Sequence, residues 1–340
     1  MRSWTWSCVA LACCATFSLA RAADAALVAA AKKEGEVVWY TSQIIDPLVL
    51  KLADAFRKKY GVEIRPVRAN SAEIALRMLN EARAGKNLAD IYGGQTTSEA
   101  LKKEGLALRW LPDNVGEIGA DFRDPDGYWM GTNFTLMTAA FNTELIKPGT
   151  EPKTWDDLLA PSLRGKIVWG DSVSTSAGAG FVGVALKELG DEKGLAYLRK
   201  LAGQKIAGVS GSARQVIDQV IAGEHALALQ IFPEHAASSA EKGAPVKWIP
   251  MRPGMASVIS TSGVAARAPH MNAAKLFMEY MISAEGQIVF RDSLYSPINP
   301  KVAPLDPQFA PSANRYIVLT PREAFDLMPK WFDIYKELFR

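Results

Sequence analysis

Four short stretches carry hydroxyl side chains where helices are about to begin: Thr41-Ser42, Thr96-Thr97, Ser174-Thr175-Ser176 and Ser210-Gly211-Ser212. The free N–H groups and positive dipole end of a helix N-terminus favour negative charge, so these stretches are candidate anion cradles. Tyr40 precedes the first and Gly94-Gln95 the second. Asn133 offers an amide to a ligand, Phe232 or Tyr40 an apolar surface, and Glu234-His235 a carboxylate and an imidazole. Arg68 is a candidate partner for an anion. Plain structural roles compete at each position, because Ser and Thr are preferred N-caps and Phe232 equally suits a core.

Enzyme signatures are missing. The chain has no G-x-S-x-G elbow, no G-x-x-x-x-G-K-[ST] phosphate loop and no H-E-x-x-H pair. Asp124-Pro125-Asp126-Gly127 lacks the spacing and distal Glu of a calcium loop and reads as a turn. No cofactor and no resident metal are expected.

Arg2, the apolar run Trp4 to Leu19 and Ala20-Arg21-Ala22 form a secretory signal pattern, with cleavage expected after Ala22. Cys8, Cys13 and Cys14 all lie inside it, so the mature chain is expected to use neither disulfide nor thiolate. Loss of Arg2 and Arg21 takes 39 Lys and Arg to 37, against 36 Asp and Glu. A near-neutral exported protein lacks the basic footprint of nucleic-acid binding.

The elements that must position these residues alternate strand, loop and helix. Glu36 to Tyr40, Val62 to Val67 and Ala89 to Tyr92 read as strands. The helices between them open at Asp46-Pro47 and at the Asn70-Ser71-Ala72-Glu73 capping box. Asp126 to Asn142 is nearly free of charge and reads as a strand crossing between lobes. Gly165 to Trp169, Ala226 to Phe232 and Val246 to Pro250 repeat the logic, and Thr261 to Ala266 reads as a return strand. A helix capped by Asn272 follows, and a terminal helix opens at Thr320-Pro321-Arg322-Glu323 and is expected to end near Pro329. The pattern predicts an α/β protein with mostly parallel sheets flanked by helices, and in such sheets ligands sit at the carboxyl ends of strands.

The signal, V-V-W-Y-T-S, D-G-Y-W-x-G, P-K-T-W-D-D-L-L-x-P-x-L-R-G-K-I and A-K-L-F-M-E-Y-M-I-S-A-E-G-Q occur in an order that resembles the extracellular solute-binding proteins of ABC importers, family 1. Within them the chain is similar to the ferric-iron-, sugar-phosphate- and phosphonate-binding group. The resemblance covers nearly the whole mature chain. It implies the two-lobed type II periplasmic-binding-protein fold, two hinge crossings, a small-molecule ligand closed between the lobes and delivery to an ABC permease in the inner membrane. The expected division is residues 23–132 and 262–300 in one lobe, with 133–261 and 301–340 in the other. A periplasmic monomer is expected, and a membrane-receptor sensor would use the same closing mechanism with another partner.

The resemblance also frames the ligand. Iron-binding relatives carry adjacent tyrosines after the strand matching Ala226 to Phe232, because phenolate is a hard ligand for a hard cation. Here that place reads Ile231-Phe232-Pro233-Glu234-His235. The expected ligand is therefore a small organic anion, phosphorylated or carboxylated, with ferric iron as the alternative.

Overall fold

The computed structural model describes residues 24–43, 45–174, 177–305, 307 and 316–340. The expected signal segment, Thr175 and Ser176 lie outside the described residues.

Asp24 opens α1 (Ala25–Glu34) by accepting from Ala26 N at 3.0 Å, and β1 (Glu36–Thr41) follows. A π-type turn, Ile45–Val49, leads into α2 (Leu50–Tyr60), then come β2 (Glu63–Arg68) and α3 (Ser71–Arg83). The capping box expected at Asn70 is present in both directions with Glu73. β3 (Ile91–Gly93) and α4 (Thr97–Lys103) complete the third repeat. Two strands then run nearly head to tail, β4 (Met130–Leu136) and β5 (Thr138–Asn142).

The chain continues with β6 (Ile167–Gly170), α5 (Gly178–Leu189), α6 (Asp191–Ala202), β7 (Ala207–Val209) and α7 (Ala213–Ile221). β8 (Leu227–Ile231), α8 (Pro233–Glu241) and β9 (Val246–Ile249) follow. Last come β10 (Ala256–Val264), α9 (Met271–Ile282), α10 (Ala284–Asp292), β11 (Ile317–Leu319) and α11 (Pro321–Phe339).

These strands form two sheets. One has the order β11-β10-β3-β1-β2, with β4 also on β10, and the other β7-β6-β8-β5-β9. Each sheet has its own core. Trp39, Phe56, Phe277 and Tyr280 meet in the first lobe, with Phe56 and Phe277 centroids 4.9 Å apart. Trp155, Trp169, Phe181, Trp331 and Tyr335 meet in the second.

β4 stays in the first sheet to Leu136 and β5 enters the second at Thr138. The change of sheet therefore falls at fully buried Met137, later than the expected 132/133 boundary. The return falls between Ile249 and Ala256, so β10 belongs wholly to the first sheet and begins before the expected return strand at Thr261. The tail divides: β11 pairs with β10, whereas Met328, Trp331 and Tyr335 of α11 enter the second core.

Two helix readings are corrected. Asn272 is not the cap of α9, because the carboxylate of Glu34 reaches that N-terminus, accepting from Ala273 N and from Asn272 Nδ2 at 2.7 Å each. Pro329 does not end α11, which runs on to Phe339. The ring lies on the exposed face, where water can satisfy the carbonyl that a proline leaves without an N–H.

Candidate functional site

The carboxyl ends of parallel strands β1 and β3 in one lobe, and of β6, β7 and β8 in the other, carry the loops that define the candidate site. In the first lobe its centre is Asn133. Met130, Phe134 and Leu136 of β4 enter the core, and a register shift against β10 lies at Ser260/Thr261, opposite the Gly131–Asn133 stretch. Gln43 Nε2 donates to Asn133 Oδ1 at 2.8 Å, and Thr132 Oγ1 donates to the same oxygen at 3.1 Å. With Oδ1 engaged twice, Asn133 Nδ2 is fully enclosed and has no hydrogen-bond partner. A buried amide donor in that condition is costly unless something else accepts from it. Arg68, at the end of β2, donates from Nε to the Gln43 backbone carbonyl at 3.2 Å.

The second lobe contributes the end of β8. Pro233 occupies the first turn of α8, where its missing N–H costs nothing. The next residue, Glu234, has its Oε2 enclosed without a partner, and burial pushes its pKa up to about 7. The carboxyl is therefore protonated in a large share of molecules near neutral pH and can donate as well as accept. Beside it, the His235 ring meets Phe232 edge-on at 5.2 Å, and burial together with the Arg214 charge lowers the imidazole pKa. Glu234, Ser238, Arg291, Tyr295 and Ser296 line a cavity of about 280 Å³ between α8 and the segment after α10. Burial and the Glu234 charge raise the Tyr295 pKa, with Arg68 pulling the other way, so that hydroxyl lies within electrostatic reach of both lobes' charges.

A larger hollow of about 820 Å³, lined by Lys153, Lys166 and His225, lies elsewhere. Lys166 and Ala226 precede β6 and β8, so it opens at the opposite, amino ends of the strands.

The other sequence candidates divide. Tyr40 does not offer its ring to a ligand: it is buried in the core, donates to Glu81 Oε1 at 2.8 Å and has Arg77 4.5 Å from its centroid. Burial, then Glu81, raises its pKa to about 12. Thr41 is fully buried and accepts from Gln43 N at 3.1 Å, so it shapes the loop, and Ser42 beside it is partly buried. Gly94 (φ 131°) exchanges hydrogen bonds with Thr261, and a Cβ there would meet Ser71 Oγ at 2.5 Å. Its role is the turn. Gln95 reaches the Leu319 carbonyl at 3.4 Å, and Thr96 occupies an N-cap position without a side-chain capping bond. Ser212 forms a capping box with Gln215. Phe232 packs against the second core, and Ser174 is partly buried.

Sequence reasoning missed Gln230. It is buried, has φ 56° and falls at the bulge where β5 and β8 shift register between Thr138 and Ala139. A non-glycine residue in that conformation costs energy, and no local sequence signal marks it. Tyr295 was missed because it follows a helix end far from the strand loops.

Residues 51–315 match the family model described as bacterial extracellular solute-binding protein. The chain belongs to this family. A solute-binding protein of this family is a solute-capturing component of an ABC importer, working outside the cytoplasmic membrane with a permease. Among similar proteins is the Fe(3+)-binding periplasmic protein of Serratia marcescens, 23% identical over 301 residues, covering 84% of this chain and 87% of that one. Among solved structures, the Trichodesmium iron- and citrate-bound protein has a TM-score of 0.75 at 20% identity, covering 89% of this chain and 99% of that one. The periplasmic binding protein AfuA of Actinobacillus pleuropneumoniae, with fructose-6-phosphate bound, has a TM-score of 0.72 at 23% identity, with the same coverage. These likenesses are to the fold. Among the described residues no helix is long and apolar enough to cross a membrane.

Proposed function

We propose that this solute-binding protein captures a small organic anion, phosphorylated or carboxylated, between its lobes and delivers it to an inner-membrane ABC permease. The observation that carries this reading is the partnerless, enclosed Nδ2 of Asn133, on the amide whose oxygen accepts from Gln43, the residue whose backbone carbonyl Arg68 holds. A donor set of this kind suits an oxyanion. Glu234, at the start of α8, is less repulsive to an anion when protonated than as a carboxylate. Contacts made to both lobes shift the population toward a closed form, which the permease recognises.

Ferric iron is the second reading, favoured by the Fe(3+)-binding name of the Serratia relative and by the placement of Glu234 near Tyr295. Against it stands the absence of any tyrosine in Ile231–His235. Among the described residues, moreover, no three His, Cys, Asp or Glu side chains are grouped to hold a metal ion.

A thermal-shift panel separates the two. A ligand at about 100 times its dissociation constant adds about 2.7 kcal/mol of stability. The panel comprises sugar phosphates, phosphonates, carboxylates, and ferric iron with citrate. Stabilisation by an organic anion alone supports the proposal, and stabilisation only when iron is present overturns it.

A further inference from the structure

The C-terminal turn of α11 is built against the loop that leaves β6. Arg340 Nε donates to Asp171 Oδ1 and Oδ2 at 3.0 and 3.1 Å, and Nη2 donates to Oδ1. The guanidinium also lies over the Phe332 and Tyr335 rings, 5.2 and 5.8 Å from their centroids. Phe332 stacks on Tyr335, and Trp169, the third residue of β6, has Tyr335 at 5.7 Å and Phe339 at 4.8 Å. Close approach is enforced by glycines: a Cβ at Gly178 would fall 2.4 Å from Tyr335, and one at Gly208 would fall 3.1 Å from the Tyr335 hydroxyl and 3.2 Å from Asp171. Asp171 itself is the first residue after β6, and its N–H donates to the Val209 carbonyl at 2.8 Å.

We propose that Arg340 is a positioning residue for solute capture, its guanidinium holding Asp171 so that the Asp171–Ser174 segment meets the solute in one conformation. An exposed ion pair adds little to the stability of a fold, yet one fixed to a planar fork and clamped over two rings restricts direction well. The same bond neutralises Asp171, a carboxylate at the carboxyl end of a strand, where bare negative charge would repel an anion. This inference rests on the organic-anion reading of the cleft, and its test separates the two.

Arg340→Ala and Arg340→Lys are compared with the wild-type protein by hydrogen–deuterium exchange without solute and by titration calorimetry with fructose 6-phosphate as probe. Arg340→Ala is expected to speed exchange at the Asp171–Ser174 amides about tenfold, with the melting temperature nearly unchanged. Its probe affinity is expected to fall about tenfold, and Arg340→Lys is expected to recover part of both. Unchanged exchange in that segment overturns the proposal whether or not the probe binds. So does faster exchange spread over all of α11 and β6 with a lowered melting temperature, since that marks general support only. If the segment loosens but the wild-type protein does not bind the probe, positioning stands and the organophosphate reading loses its support.

Discussion

Gln43 and Asn133 are separated by ninety positions in sequence and joined by a 2.8 Å hydrogen bond that turns one amide so that its NH₂ group is left enclosed and unpaired. The arrangement stores an unsatisfied donor where the first lobe's loop meets the crossing strand. An anion that accepts from it removes a penalty of about 1–3 kcal/mol.

Asn133→Ala is expected to lower solute-free stability by about 1–2 kcal/mol, because the unsatisfied donor goes but so does the oxygen that accepts from Gln43 and Thr132. Anion affinity is expected to fall about tenfold, the equivalent of about 1.4 kcal/mol. Asn133→Asp is expected to bind the anion more weakly still, by like-charge repulsion. Stronger binding of ferric iron by the Asp variant would favour the metal reading.

Glu234 gives a pH dependence of fixed sign. Its carboxyl titrates near 7 when folded and near the ordinary 4.5 when unfolded. Between those values the folded state holds the proton and the unfolded state does not, so this group's stabilising contribution is full below about pH 4.5 and is lost as pH rises through 7. The slope is at most about 1.4 kcal/mol per pH unit. Glu234→Gln should flatten that slope in urea melts between pH 5 and 8, and anion affinity in the wild type should weaken over the same range. An identical slope in the variant would contradict the assignment.

Gly183 tests the seat of α11. A Cβ there would lie 2.7 Å from three ring carbons of Trp331. Gly183→Ala should cost about 1–3 kcal/mol by overpacking and visibly lower the melting temperature.

Arg322 joins the lobes away from the amide cluster. It lies on α11, whose core contacts are in the second lobe, and pairs with Asp126 at 3.2 Å and Glu99 at 3.9 Å in the first. The bond to Asp126 is exposed, and buried Glu99 lies at the longer distance, so Arg322→Ala should leave the melting temperature almost unchanged. A bias of about 1 kcal/mol alters a two-state population about fivefold, and spin labels on the two lobes should report a changed distance distribution. An unchanged distribution would show that the pair does not bear on lobe closure.

The repeat of strand, loop and helix was legible because periodicity and caps are local: Asn70 and Thr320 form the capping boxes that their spacing announces. The crossing strand was legible as a run without charge, but its boundary was not, since residues on both sides of Met137 are equally buried and only strand pairing distinguishes them. Asn133 and Glu234 stood out by type, and the structure shows each with an enclosed polar atom that has no partner. Tyr40 misled because its aromatic ring beside a polar loop looks the same whether it faces a ligand or, as here, Glu81 and Arg77. Gln230 and Arg340 depend on a bulge and on a contact 169 positions away, neither of which leaves a local pattern.

The central claim is capture between two lobes, and small-angle X-ray scattering tests it most directly. The mature protein would be measured alone and saturated with the organic anion that gives the largest thermal shift. The account predicts a smaller radius of gyration with the anion bound, and a smaller change or none in Asn133→Asp. Tight binding with no compaction would contradict it.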